Sequence, residues 1–200
     1  MKKITLTTCF LLFISFCFAQ TTTTKSSADK TVSLGIKAGV NIANWYNKSG
    51  NFVTTNNDAR IGAYAGLFAH IHLGDLFAVQ PEVVYSMQGF KNANNKYVAN
   101  YINIPLLGQV MLGNGFRVET GPQLGILTDA KTEDYAGNEN PGLKPFLKST
   151  DFSWTFGASY LSPIGVGAEV RYNMGLSNIR TSTSDNVKNR VWQIGLFYQF

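Results

Sequence analysis

From Val32 to Phe200 the apolar residues of this chain recur at every second position, segment after segment. In the stretch IGAYAGLFAHIHL, Ile61, Ala63, Ala65, Leu67, Ala69, Ile71 and Leu73 share one face, and Gly62, Tyr64, Gly66, Phe68, His70 and His72 share the other. A period of two is that of a β-strand with unlike faces. About eight such segments follow one another: Val32–Ile42, Ile61–Leu73, Phe77–Gln88, Tyr101–Leu112, Phe116–Ile126, Phe152–Tyr160, Ile164–Leu176 and Trp192–Phe200. Each is long enough to cross a bilayer at a tilt, which takes roughly 9 to 11 residues.

The connections alternate in length. Gly74-Asp75, Gly113-Asn114-Gly115 and Ser162-Pro163 are tight hairpin turns, whereas Asn44–Ala59, Gly89–Lys96, Asp129–Thr150 and Asn178–Asn189 are longer and polar. All short turns then fall at one end of the sheet and all long loops at the other. Outer-membrane barrels have this asymmetry, with short periplasmic turns and long extracellular loops.

Which face points outward follows from charge. A water-exposed surface carries about 25 to 35% charged residues, but the polar face of these strands is mostly Gly, Ser, Asn and Gln, with few charges in any one strand. That face suits a narrow interior. The apolar face is nearly free of charge and gathers its aromatics at strand ends: Phe77, Phe116, Tyr160, Tyr198 and Phe200 toward the short turns, Tyr85, Phe152, Trp154, Tyr172 and Trp192 toward the long loops. Two aromatic belts around an aliphatic middle match the interfaces of a bilayer. The expected fold is an all-β, transmembrane, antiparallel up-and-down β-barrel of about eight strands. A soluble lipocalin-like binder is disfavoured by the same face. Pro81, Pro105 and Pro122 lie inside strand patterns, and since proline lacks a ladder donor they are expected at bulges or strand ends.

The first residues, MKKITLTTCFLLFISFCFAQ, join a basic end to a short apolar stretch and a small residue, which is the pattern of a secretory signal. Residues 1–19 are expected to be the signal, 20–30 a flexible polar lead-in and 31–200 the barrel domain. Cleavage after Ala19 leaves Gln20 first and removes both cysteines, Cys9 and Cys17, so no disulfide or thiolate site remains. A lipid-modified Cys17 is the less favoured alternative, because bulky Phe16 precedes it. The formal charge of +5 shrinks once Lys2 and Lys3 leave, and the remaining basic residues form no stripe of the kind nucleic acid requires. No apolar run reaches the roughly 20 residues of a spanning helix.

The stretches GIKAGVNIANW, VQPEVVYSMQGFK, YINIPLLGQVML, VETGPQLGIL, VRYNMGLSNI and VWQIGLFYQF cover nearly the whole chain after the signal. They resemble the PorT-like or "porin family" outer-membrane β-barrel proteins of Bacteroidetes, and more distantly the OmpX and OmpA barrels. The resemblance implies the same fold, location in the outer membrane, and insertion through the barrel-assembly machinery. PorT itself is linked to protein secretion and assembly of surface enzymes, and carrying that role over rests on family analogy alone.

The inward face supplies the only candidates for chemistry. His70 and His72 are the two histidines of the chain, and two ligands do not make a metal site. Glu82, Glu119 and Glu169 fall at similar depth to Lys37, Arg117 and Arg171, which favours an interior ion-pair network over paired acid-base catalysis. With inward Tyr64, Phe68, Tyr101 and Phe197 this network is expected to plug the lumen. Asn47-Lys48-Ser49 matches a glycosylation triplet but reads as loop. No catalytic, cofactor-binding or metal residue is therefore assigned, and no cofactor is expected. The expected role is non-enzymatic: structural, assembly- or secretion-related, or interaction through the loops with a protein partner. The alternative is a small diffusion pore. A barrel enzyme ranks below both.

Overall fold

The computed structural model describes residues 32–47, 58–91, 95–136, 138–181 and 187–200. The expected signal and lead-in lie outside the described residues, as do Lys48 and Ser49 of the triplet and the side chain of Asn47. Among the described residues nine strands follow one another: β1 (Val32–Asn47), β2 (Asp58–His72), β3 (Phe77–Lys91), β4 (Asn95–Gly113), β5 (Phe116–Asp134), β6 (Glu139–Asn140), β7 (Thr150–Leu161), β8 (Val166–Gly175) and β9 (Val187–Gln199). All pairings are antiparallel. The ladder runs β4-β3-β2-β1-β9-β8-β7-β5, and β5 pairs back with β4, so eight strands close a ring and leave no open edge. Closure is what lets a sheet satisfy its backbone where no water is present. The two residues of β6 lap onto the end of β5 at Thr132 and Glu133.

The alternation decides which residues face out. Leu34, Ile36, Leu67, Leu106, Ile194 and Leu196 are all exposed, while Lys37, Glu82, Glu119 and Arg171 are buried. That is the reverse of a water-soluble protein, where a continuous apolar exterior of this kind would drive association. Both aromatic groups expected at the strand ends stand on this outer face; Phe116 packs on Tyr160 with ring centroids 4.9 Å apart, and Tyr172 on Trp192 at 4.9 Å. The glycines of the inner face make room for rings. A Cβ on Gly39 would lie 2.7 Å from the Tyr64 ring, and one on Gly195 would lie 2.1 Å from its hydroxyl.

The turn Gly113-Asn114-Gly115 joins β4 to β5 with φ of 86°, 50° and 86°, a left-handed run that glycine and asparagine tolerate. Toward the other end the strands run further than their apolar alternation suggests. β3 reaches Lys91 and β4 begins at Asn95, so most of the expected loop Gly89–Lys96 is strand; β1, β5 and β9 likewise extend to Asn47, Asp134 and Val187. Beyond the apolar band the hydrogen-bond ladder continues, but the outer residues no longer need to be apolar, and the period-two signal fades.

The prolines correct the expectation that they mark bulges or ends. Pro81 faces Leu106 and Pro105 faces Gln123 in unshifted register; the ladder merely skips to Val84↔Asn103 on one side and to Gly108↔Thr120 on the other. The three sit on adjacent strands β3, β4 and β5, so their missing donors cost a few rungs in one patch of wall rather than three separate defects. Register shifts lie elsewhere, between Ala59 and Tyr64 in β2 and, in β4, between Asn100 and Tyr101 and between Met111 and Gly113. At the first of these Asn41 reaches across from β1 and donates to the carbonyls of Ala63 and Met87 at 3.2 and 3.0 Å.

Candidate functional site in the filled lumen

Side chains fill the barrel in layers. The first above the short-turn mouth is charged. Arg171 on β8 donates from Nη1 and Nη2 to the two oxygens of Glu82 on β3, each at 2.8 Å, and from Nε to Glu119 on β5. Its Nη2 lies 3.0 Å from Glu169, two residues away on its own strand. Lys37 on β1 completes the cluster, with Nζ 3.1 Å from Glu82 and 2.8 Å from Glu169. Uncharged donors take up the remaining carboxylate capacity: Gln80 to Glu82 at 2.7 Å, Gln109 to Glu119 at 2.6 Å and the Tyr64 hydroxyl to Glu169 at 2.6 Å. All these groups are buried, and burial of unpaired charge would cost several kcal/mol per ion.

Five of the six charges expected to meet are thus brought together. The sixth, Arg117, is buried and inward but makes its hydrogen bond to Gln199 Oε1 at 3.0 Å, because it stands nearer the short-turn mouth than the three carboxylates. The inward aromatics also divide by height. Tyr64 joins the charged layer, Phe68 and Phe197 meet edge to face at 5.8 Å on the short-turn side, and Tyr101 lies toward the long-connection end. His70 and His72 point inward near the short turns, with ring centroids 4.5 Å apart and planes nearly perpendicular. Among the described residues no three His, Cys, Asp or Glu side chains converge on one point.

Above the charged layer comes a neutral one, knit by amides and hydroxyls. Gln193 donates to Asn41 at 2.9 Å, Asn41 to Ser86 at 2.9 Å, Asn173 to Gln193 at 2.8 Å, and Thr155 to Asn173 at 2.8 Å. Asn189 reaches Gln88 at 2.6 Å from the other side.

The third layer is apolar. Trp45, Phe90, Ala99, Tyr101, Leu127, Ala130 and Val187 of the extended strands pack with Leu147 and Ile179 of the connections. The 3-10 turn Pro141–Phe146 leads into Leu147, which bridges Arg180, and Lys148 N–H donates to the Ile179 carbonyl at 2.8 Å. The described parts of two connections read as polar loops therefore fold inward as a lid. The signal was there in Leu143, Leu147 and Ile179, apolar residues with no strand partner in the alternation.

The sequence profile of the outer membrane protein beta-barrel domain family matches residues 18–180. No curated protein matches the chain. Among solved structures the fold is similar to Neisserial surface protein A, at 15% identity over 84% of this chain and 99% of that one, with a TM-score of 0.58. It is also similar to Ail, the attachment invasion locus protein of Yersinia pestis, in its complex with the heparin analogue sucrose octasulfate, at 14% identity over 84% and 99% of the two chains and a TM-score of 0.50. These likenesses are of fold: small barrels of the outer membrane, closed by eight antiparallel strands. With the family profile spanning most of its length, the chain belongs to the outer membrane protein beta-barrel domain family and resides in the outer membrane.

Proposed function

We propose that this protein is a non-enzymatic barrel that conducts no solute and works at its long-connection end, as a structural, assembly- or secretion-related part or as a docking platform for a protein partner. The observation that carries the reading is the Arg171 guanidinium, which holds carboxylates from β3, β5 and β8 at once. An eight-stranded barrel has room for its own side chains and little more, and here that room is occupied by salt bridges below and an apolar lid above. The same network argues against hydrolytic chemistry. Glu82, Glu119 and Glu169 each face a cation, so none is free to pair as acid and base in the way glycosidic catalysis requires.

The resemblance to PorT-like proteins supports the secretion-related form of this role, and the lid places Tyr135 and Phe146 exposed beside it, where a partner would meet them. Liposomes carrying the purified protein should retain small sugars and ions as well as empty liposomes do. Rapid solute efflux through the wild-type barrel would replace this reading with that of a small diffusion pore.

A further inference from the structure

The short-turn mouth of the lumen holds a set of donors that the charged network does not use. His70 is fully buried, and both of its ring nitrogens lack a hydrogen-bond partner; the Nδ1 of His72 is buried and unpaired as well. A buried imidazole with neither nitrogen engaged calls for an explanation, since such groups are nearly always satisfied by protein, water or an ion. The register supplies one. His72 on β2 pairs with Ala78 on β3, and Ala78 pairs with Gln109 on β4, so the two long side chains stand at one level on either side of a small inward residue.

Gln109 is turned by the network above it. Its Nε2 donates to Glu119 at 2.6 Å, which leaves its Oε1 as the free end, buried and without a partner. Gln80, beside His70 on β3, is fixed the same way by donation to Glu82 at 2.7 Å. The amides of Gln80 and Gln109 lie beside His70, within reach of its ring nitrogens. Carboxylates that orient an amide, which in turn presents its oxygen, form the arrangement of a second shell around a ligand set.

We propose that His70, His72 and Gln109 bind a borderline divalent transition metal, of the class of Zn²⁺, Ni²⁺ or Cu²⁺, at the short-turn mouth of the barrel. Neutral imidazole nitrogens suit these ions, whereas Mg²⁺ and Ca²⁺ want carboxylate oxygen, and the three carboxylates of the charged layer are already paired. Two imidazoles and one amide oxygen leave a tetrahedral site one position for water, and His72, only half-buried, provides the approach from the mouth. Two histidines alone made no site in the sequence; the third donor lies two strands away, where the β2-β3-β4 meander brings it level with His72.

Cu²⁺ added to the untagged protein, purified from outer membranes in detergent, tests this by titration and electron paramagnetic resonance. One Cu²⁺ should bind per chain, with a signal split by two imidazole nitrogens. Affinity should fall at least tenfold in His72→Ala and several-fold in Gln109→Leu, with both variants keeping the heat-modifiable mobility of a folded barrel. Zn²⁺ should raise the thermal midpoint of the wild type and leave that of His72→Ala unchanged. Equal Cu²⁺ affinity in the wild type and His72→Ala, or a signal without imidazole splitting, would overturn the site; an unchanged affinity in Gln109→Leu would overturn the three-donor form proposed here.

Discussion

Arg171 and Glu82 stand on opposite walls of the barrel, four strands apart around the ring, and meet through two parallel hydrogen bonds of 2.8 Å. The pair is a strut across the lumen. Its bidentate geometry is the strong form of an arginine–carboxylate contact, and it is buried from both ends. Lys37 shares the same carboxylate, so one glutamate on β3 answers two cations from β8 and β1.

Removing that glutamate leaves Lys37 with Glu169 alone and Arg171 with Glu119 and Glu169. Glu82→Ala should cost up to about 3 kcal/mol, the low end of the penalty for breaking a buried ion pair, because each cation keeps a partner. Adding Glu169→Ala, which takes away the other partner of Lys37, should weaken folding further. Urea unfolding of the protein in lipid vesicles measures both. A loss under about 1 kcal/mol in the double variant would mean that the charges find water or new partners, and that the lumen is looser than described.

The lid is predicted to open without the barrel. Ile179→Ala removes a fully buried side chain from the cluster that includes Leu147 and should cost about 2 to 5 kcal/mol, by the measure of other core truncations. Because the strands below do not depend on it, the loss should show locally. Trypsin should cut after Lys144 or Lys148 faster than in the wild type while the strands stay resistant. Equal cleavage rates would contradict a packed lid.

Phe200 closes the chain against the first strand. Its N–H donates to the Leu34 carbonyl at 2.8 Å, and its ring meets Tyr198 edge to face at 5.1 Å on the outer face. A terminal aromatic strand of this kind resembles the signal that barrel-assembly machinery reads. Deleting Phe200 should lower the amount of heat-modifiable barrel in outer membranes; an unchanged amount would exclude that role.

The mature protein is predicted to begin at Gln20 and to contain no cysteine. Mass analysis of the N-terminal peptide from the membrane fraction checks this. A lipid-modified Cys17 would show that the chain is anchored as well as inserted.

How much of this was legible in the sequence depended on what each residue faces. Strands whose outer side meets lipid, such as Ile61–Leu73, carried a clean alternation, because one face had to be apolar and the other had to fit a crowded lumen. The ends of β3, β4 and β5 carried none, since there the inner face turns apolar under the lid, with Phe90, Ala99 and Ala130, while the outer face no longer has to be apolar. The meeting of Lys37, Glu82, Glu119, Glu169 and Arg171 followed from depth alone, as each lies a similar number of residues from its turn. Arg117 departed from it by being closer to its turn than Glu119 on the same strand. The lid was hidden because Leu147 and Ile179 find each other across two connections, and no period relates them. Gln109 was hidden for a like reason: the two strands that set its amide opposite His72 are neighbours only through Ala78.

Closure of the lumen by salt bridges and lid can be read by single-channel recording in planar bilayers. The wild-type protein should insert without giving any large, steady conductance, at either polarity. Glu82→Ala with Glu169→Ala, if it still folds, should give brief openings as the strut between β3 and β8 is lost. A persistent conductance of porin size in the wild type would contradict the account, because the Arg171–Glu82 contact and an open aqueous channel cannot occupy the same cross-section.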